Sequence, residues 1–252
     1  MKQQLENKVA IVTGGGSGIG AATAMIFAES GAKVIVSDIH PNTCKQIADE
    51  INHTGGQAYA IAADVSDPQQ CAALVSGCLK QYGRLDIAFN NAGIGGESNP
   101  VADMSLEGWN HVISVNLNSV FYCMKYELAA MLDTGGGAII NMSSILGQVA
   151  FANAAGYVAA KHGVIGLTQT AALEYTAKGI RVNAVGPGFI ETPLLEAAGI
   201  DAAMKQQIAT LHPIGRLGRA AEVAELVLWL ASPQASFVSG AYYPVDGGYL
   251  VQ

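Results

Sequence analysis

Basic residues are scarce in this sequence. Thirteen Lys and Arg against 20 Asp and Glu leave a formal net charge of −7 over 252 residues. Nucleic-acid binders gather cations on one face or helix, whereas here they are few and scattered, which argues against that class. Cysteine is sparse as well. Cys44, Cys71, Cys78 and Cys123 include no C-x-x-C pair, and no histidine cluster lies beside them at metal-ligand spacing. Free thiols in a reducing compartment are the expectation, with no metal. His40, His53, His111, His162 and His212 read as ordinary surface or core histidines. No apolar run approaches the roughly 20 residues of a membrane span. Residues 1–7 lead into an apolar strand without the apolar core of a signal peptide, so a cytoplasmic protein with no membrane partner is expected. Repeats, low-complexity stretches and linkers are also missing, and residues 1–252 are expected to form one domain.

What is present is apolar material for a large core: 50% of residues are hydrophobic and only 13% charged. Short runs of mostly apolar residues read as buried strands at 8–12, 33–37, 57–61, 86–89, 138–141, 180–185 and 241–245. Helical patterns separate them at 19–30, 41–53, 68–82, 106–132, 155–178 and 220–231. This alternation predicts an α/β fold: a doubly wound parallel sheet of about seven strands with helices on both faces. Segments 90–100, 143–154 and 186–213 interrupt the pattern. Each starts where a strand ends at its carboxyl edge, the edge where such sheets bind ligands, and residues 189–213 are long enough to form a lid.

The first strand runs into Thr13-Gly14-Gly15-Gly16-Ser17-Gly18-Ile19-Gly20. Glycine lets a backbone turn tightly and approach a pyrophosphate, and the N–H groups that open the next helix favour an anion. That context, strand then glycines then helix, makes Gly14, Ser17, Gly18, Ile19 and Gly20 dinucleotide-binding candidates in a Rossmann-like fold. The second strand ends at Asp38, 24 residues beyond Gly14, where a carboxylate can accept from both hydroxyls of the adenosine ribose. It would repel a 2′-phosphate by roughly 4 kcal/mol per charge pair at 4 Å and an effective dielectric of 20. Neighbouring Ser17, Ser37 and Ile39 bring no cation, so the cofactor reads as NAD. Asp64 and Val65 end the third strand, where they can meet the adenine. Asn91, Ala92 and Gly93 follow the fourth, where small residues admit backbone close to the cofactor.

Tyr157 and Lys161 stand four residues apart on a helical segment, hence on one face. A fixed ammonium near a phenol favours the phenolate, which would let Tyr157 exchange a proton near neutral pH. Ser144 lies 13 residues before Tyr157, with Ser143 as its rival, and Asn116 sits in Val115-Asn116-Leu117-Asn118-Ser119.

Taken with Asn90-Asn91-Ala92-Gly93 and Val182-Asn183-Ala184-Val185-Gly186-Pro187-Gly188, these motifs resemble, in order and spacing across essentially the whole chain, the short-chain dehydrogenase/reductase family. The 13-residue spacing selects Ser144 over Ser143. The resemblance implies hydride transfer between NAD and an alcohol/carbonyl pair. Tyr157 would be the general acid/base and Ser144 would steady the substrate oxygen. Lys161 would hold the nicotinamide ribose and depress the Tyr157 pKa, and Asn116 would anchor a water in a proton relay. Pro187 and Gly188 would flank the nicotinamide, with Ile190 beside them and Thr192 on the carboxamide; the other reading of Thr192 is a helix cap before Pro193. A homotetramer paired through Tyr126, Leu128, Met131 and Leu167 is implied as well, although these residues also read as internal core. Some relatives bind a divalent ion at a C-terminal Gln, which makes Gln252 a candidate there.

The expected substrate wall, Ile94, Gly95, Gly96, Leu146, Gly147, Gln148, Phe151 and the segment 189–213, is mostly apolar or small. With only Arg216 nearby, a small neutral alcohol or ketone fits best, with polyols or sugars open. Two alternatives stand. One is a 3-oxoacyl-thioester reductase serving an acyl carrier protein, disfavoured because Ala129, Ala130, Leu173 and Glu174 sit where basic residues are expected. The other is a non-enzymatic NAD-sensing scaffold, disfavoured because Ser144, Tyr157 and Lys161 are all present.

Overall fold

Strands covered by helices on both faces must be apolar on both faces, and the central ones here are. The computed structural model describes residues 4–197 and 199–252. β1 (Val9–Thr13), β2 (Lys33–Asp38), β3 (Gln57–Ala62), β4 (Ile87–Asn90), β5 (Gly137–Met142), β6 (Ile180–Pro187) and, after two short strands, β9 (Tyr242–Val245) form one parallel sheet in the order β3-β2-β1-β4-β5-β6-β9. β1, β4 and all but one residue of each of β5 and β6 are buried, while edge strand β3 alternates toward solvent. The order reverses between β1 and β4, so a crevice opens there beyond the carboxyl ends of the strands.

Helices α1 (Gly18–Glu29), α2 (Pro41–His53) and α9 (Ala220–Ala231) contribute one core, with Phe27, Ile47 and Val227 among its residues. Helices α3 (Pro68–Tyr82), α5 (Ser119–Thr134) and α6 (Ala155–Tyr175) contribute the other, around Leu74, Met131 and Val164. The helix expected over 106–132 is not uniform: α4 (Leu106–Ile113) passes through a π-helical turn, Ser114–Asn118, into α5. Periodicity cannot report the extra residue of a π turn, a feature frequent at functional sites.

The expected lid has structure of its own. β7 (Ile190–Glu191) pairs with β8 (Gly218–Arg219), and α7 (Pro193–Ala197) and α8 (Ala202–Thr210) lie between them; position 198 of this segment falls outside the described residues, as do positions 1–3 at the amino end. Leu128 and Met131 are buried and Tyr126 and Leu167 pack on the same core, so of their two readings the internal one holds within the chain. The outward apolar residues of these helices are Phe121, Leu132 and Leu173.

Candidate active site

The glycine run turns directly out of β1 into α1. Gly14 and Gly18 have φ of 60° and 53°, and a Cβ on Gly20 would lie 2.0 Å from the Gly14 carbonyl oxygen, so the turn closes only without side chains. At the start of α1, Ser17 makes no side-chain cap. The opening N–H groups therefore remain available to an anion, whereas α3, α4 and α8 are capped by Asp67, Ser105 and Asp201. Asp38 leans over this loop: its Oδ2 accepts from the Gly16 N–H at 3.1 Å and its Oδ1 from the His40 N–H at 3.1 Å. No cation pairs with it among the described residues. These features fit a dinucleotide.

Across the crevice, the Asn91 side chain donates to the carbonyls of Thr13 (2.9 Å) and Gly14 (3.1 Å). Buried Thr13 Oγ1 accepts from the N–H groups of Asn91 (3.0 Å) and Ala92 (3.2 Å), which stitches β1 to the segment ending at Gly93. Asp64 Oδ1 closes a turn by accepting from the backbone and hydroxyl of Ser66. The Val65 side chain packs with Cys71 and Cys123, and Ala92 of the crevice loop packs against the same group.

The catalytic candidates converge at the ends of β4 and β5. Buried Asn116, within the π turn, accepts from the Ile94 N–H at 2.8 Å and donates to the Ile94 carbonyl at 2.7 Å. A Cβ on Gly93 would meet Asn116 Oδ1 at 3.1 Å and Lys161 Nζ at 3.7 Å. Lys161 is buried and donates to the Met142 carbonyl at 2.8 Å, with its Nζ 5.4 Å from the Tyr157 ring centre. Desolvation lowers its pKa to about 8. The two serines separate by partner: Ser143 Oγ donates to the Lys161 carbonyl at 2.9 Å, while Ser144 lies against Tyr157. Burial raises the Tyr157 phenol and the Ser144 hydroxyl pulls it down, while the Lys161 ammonium lies over the ring and is tied to the Met142 carbonyl.

Beyond β6, the Gly188 N–H donates to the Val245 carbonyl at 3.0 Å, and Thr192 Cγ2 lies 3.3 Å from where a Gly18 Cβ would sit, so the lid starts against the glycine loop. Ile190 is buried in the core beneath. The Thr192 hydroxyl turns back to the Ile190 carbonyl at 3.3 Å. Of the expected wall, Leu146 and Gly147 are interior, whereas Phe151 is half open and meets Phe189 edge to face at 6.1 Å. Arg216 forks onto Glu222 at 2.9 and 2.6 Å, which commits its guanidinium. A cavity of about 330 Å³ behind Phe189 is lined by Ile190, His212, Arg216 and Val245, but by neither Ser144 nor Tyr157.

Sequence reasoning missed three supports. Tyr242 donates to the Ser144 carbonyl at 2.8 Å, Thr13 joins two loops, and His212 Nε2 accepts from the Phe189 N–H at 3.2 Å. Thr13 carried a signal, a hydroxyl at the end of an apolar strand. The other two pair residues 98 and 23 positions apart and carried none. Gln252 donates to the Leu211 carbonyl.

A family model described as enoyl-(acyl carrier protein) reductase matches residues 14–250. The cyclohexanol dehydrogenase of Acinetobacter sp. (strain SE19) is 51% identical over 249 residues, covering 99% of this chain and 97% of that protein. The cis-4-hydroxycyclohexanecarboxylate dehydrogenase of Sinomonas cyclohexanicum is 45% identical, covering 99% of each. Among solved structures, that of levodione reductase superposes with a TM-score of 0.96 at 36% identity, over 98% of this chain and 100% of that one.

Proposed function

The chain belongs to the short-chain dehydrogenase/reductase family, and from that premise we propose that it is an NAD-dependent dehydrogenase of a small, neutral, ring-bearing secondary alcohol, reducing the matching ketone in reverse. It is an oxidoreductase acting on a CH–OH group with a nicotinamide dinucleotide. The observation that carries the finer reading is the convergence of Ser144, Tyr157 and Lys161 beside the Gly93 backbone at the carboxyl edge of the sheet.

The glycine loop, Asp38 and the Asn91–Gly93 segment would hold the dinucleotide, whose nicotinamide would supply the hydride acceptor for alcohol oxidation and the hydride donor for ketone reduction. Tyr157 takes the alcohol proton at its Oη, or returns it in reduction. Ser144 donates to the substrate oxygen as charge develops there. Burial alone opposes a phenolate on Tyr157, so the cation at Lys161 supplies what the tyrosine lacks, and with its pKa at about 8 Lys161 stays mostly charged near neutrality. Asn116 fixes the Ile94 backbone through its side-chain amide, and the family resemblance makes it the anchor of the water in a proton relay. Asp38, with no cation paired to it among the described residues, supports NAD over NADP. The paired state of Arg216 and the ring alcohols in the relatives' names support a neutral cyclic substrate. The exposed Phe121, Leu132 and Leu173 support a homotetramer.

The test is oxidation of NADH, with NADPH in parallel, over cyclohexanone, cyclic diketones, keto-sugars and an acetoacetyl thioester. Turnover of a cyclic ketone with NADH is expected. Response to the thioester alone would replace this reading with carrier-type reduction, and silence across the panel would leave the NAD-sensing scaffold.

A further inference from the structure

Beneath the site, on the side away from solvent, lies an acid that the mechanism does not use. Glu127 on α5 is 1% exposed, and no cation pairs with it among the described residues. Its Oε2 accepts from Asn90 Nδ2 at 3.0 Å. The same Nδ2 donates to Asn141 Oδ1 at 3.0 Å, Asn141 Nδ2 donates to Thr168 Oγ1 at 2.9 Å, and Thr168 donates to the Val164 carbonyl at 2.7 Å. Asn90 Oδ1 is buried without a partner. This chain touches β4, β5 and α6: Asn90 precedes Asn91 at the end of β4, Asn141 precedes the carbonyl that holds Lys161, and Thr168 is two turns along α6 from Lys161.

We propose that Glu127 is a positioning residue whose protonation selects how Asn90 and Asn141 hold the carboxyl ends of β4 and β5. The assignment rests on the NAD-dehydrogenase reading. With the carboxylate, the Asn90 amide donates both to Glu127 and to Asn141 Oδ1, Asn141 donates onward to Thr168, and Asn90 Oδ1 stays unpaired, as observed. With the acid, the new O–H is a donor that Asn90 Oδ1 accepts once its amide turns. Asn141 then turns to donate to the same oxygen, and Thr168 donates to Asn141 Oδ1. One proton thus chooses between two orientations of a single hydrogen-bond chain. The surroundings favour this exchange near neutrality, since burial pushes the Glu127 pKa up to about 7. The titratable groups facing it are Cys78 from α3, a thiol that burial pushes up to about 12, and Cys123 on its own helix, held neutral first by its hydrogen bond with Cys71 and then by burial, while β4, β5 and α6 present Asn90, Asn141 and Thr168.

The test is fluorescence titration of NADH into wild type, Glu127→Gln and Thr168→Val from pH 5.5 to 8.5, with thermal unfolding to confirm folding. In wild type the dissociation constant is expected to step by about threefold, the size of a half-unit pKa change on binding. Glu127→Gln, in which all other titrating groups are unchanged, should show no such step. Thr168→Val should move its midpoint by about half a pH unit or more, and decides the matter if the glutamine variant does not fold. Equal steps in wild type and Glu127→Gln, or no step in wild type, overturn the assignment while leaving the dehydrogenase reading intact. Wild type that binds no NADH at any pH overturns both.

Discussion

At the scale of single residues, Tyr157 carries the proton chemistry, and burial raises its pKa. Replacing it with Phe removes the proton carrier and keeps the ring that packs near Lys161. Turnover should fall by about 10³, the middle of the range for general acid–base catalysis, with NADH affinity within about twofold. Steady-state rates and NADH titration measure the two, and retained turnover would remove Tyr157 from the mechanism. Lys161 yields a stability prediction with a definite sign. Its folded pKa, about 8, lies below the unfolded value, so between about 8 and about 10.5 the unfolded chain binds the extra proton. Stability from this group therefore rises with pH through that window, by about 3 kcal/mol at most, and its burial cost is present in full below it. Lys161→Met should lose this rise in denaturant melts at pH 7.5 and 10; an unchanged rise would place the effect elsewhere. For Asp38, Asn keeps an acceptor for the Gly16 N–H and removes the charge. The NAD/NADP ratio of kcat/KM should drop by about tenfold or more, a part of the roughly 4 kcal/mol charge repulsion that solvent leaves in force. An unmoved ratio would take Asp38 out of cofactor selection.

At the scale of elements, what the sequence discloses is what local pattern controls. The apolar runs matched all seven strands of the main sheet to within a residue or two, most clearly the central ones, because a strand covered on both faces has to be apolar throughout. The glycine turn was legible because close approach restricts residue choice at Gly14 and Gly20. Ser144, Tyr157 and Lys161 were found through spacing, and the structure adds the partner that distinguishes Ser144 from Ser143. The π turn at Asn116 was hidden, since one extra residue leaves a helical pattern helical, and the Asn90–Asn141–Thr168 chain was hidden because its members sit 51 and 27 residues apart. Thr13 stands between the two cases. As the acceptor for two neighbouring N–H groups, its hydroxyl ties β1 to the loop after β4. Thr13→Val keeps the shape and orphans both donors, a cost of about 2 kcal/mol. The melting temperature should fall by about 4–8 °C with NADH affinity weakened, and Thr13→Ser should restore both. Equal behaviour of the valine and serine variants would show that the hydroxyl does not hold the loop.

At the scale of the whole molecule, charge decides which partners can approach the site. The net charge is −7, and the guanidinium groups of Arg216 and Arg219 beside the lid both meet Glu222. The outward faces of α5 and α6 offer Phe121, Ala129, Leu132, Leu173 and Glu174, with Lys125 as an isolated cation. An acidic carrier protein would meet a repulsive field here, whereas a small neutral ring meets none. Ionic strength separates the cases, because screening acts on charged encounters and leaves neutral ones alone. For a cyclic ketone, kcat/KM should change by less than about twofold between 10 and 500 mM salt. An acyl group on carrier protein should turn over no faster than the same acyl group on a short neutral thiol, and its rate should rise with salt as repulsion is screened. A carrier-bound substrate that is preferred at low salt and weakens as salt is added would mean that this face attracts the carrier, and the ring-alcohol assignment would then give way to thioester reduction on the same catalytic residues.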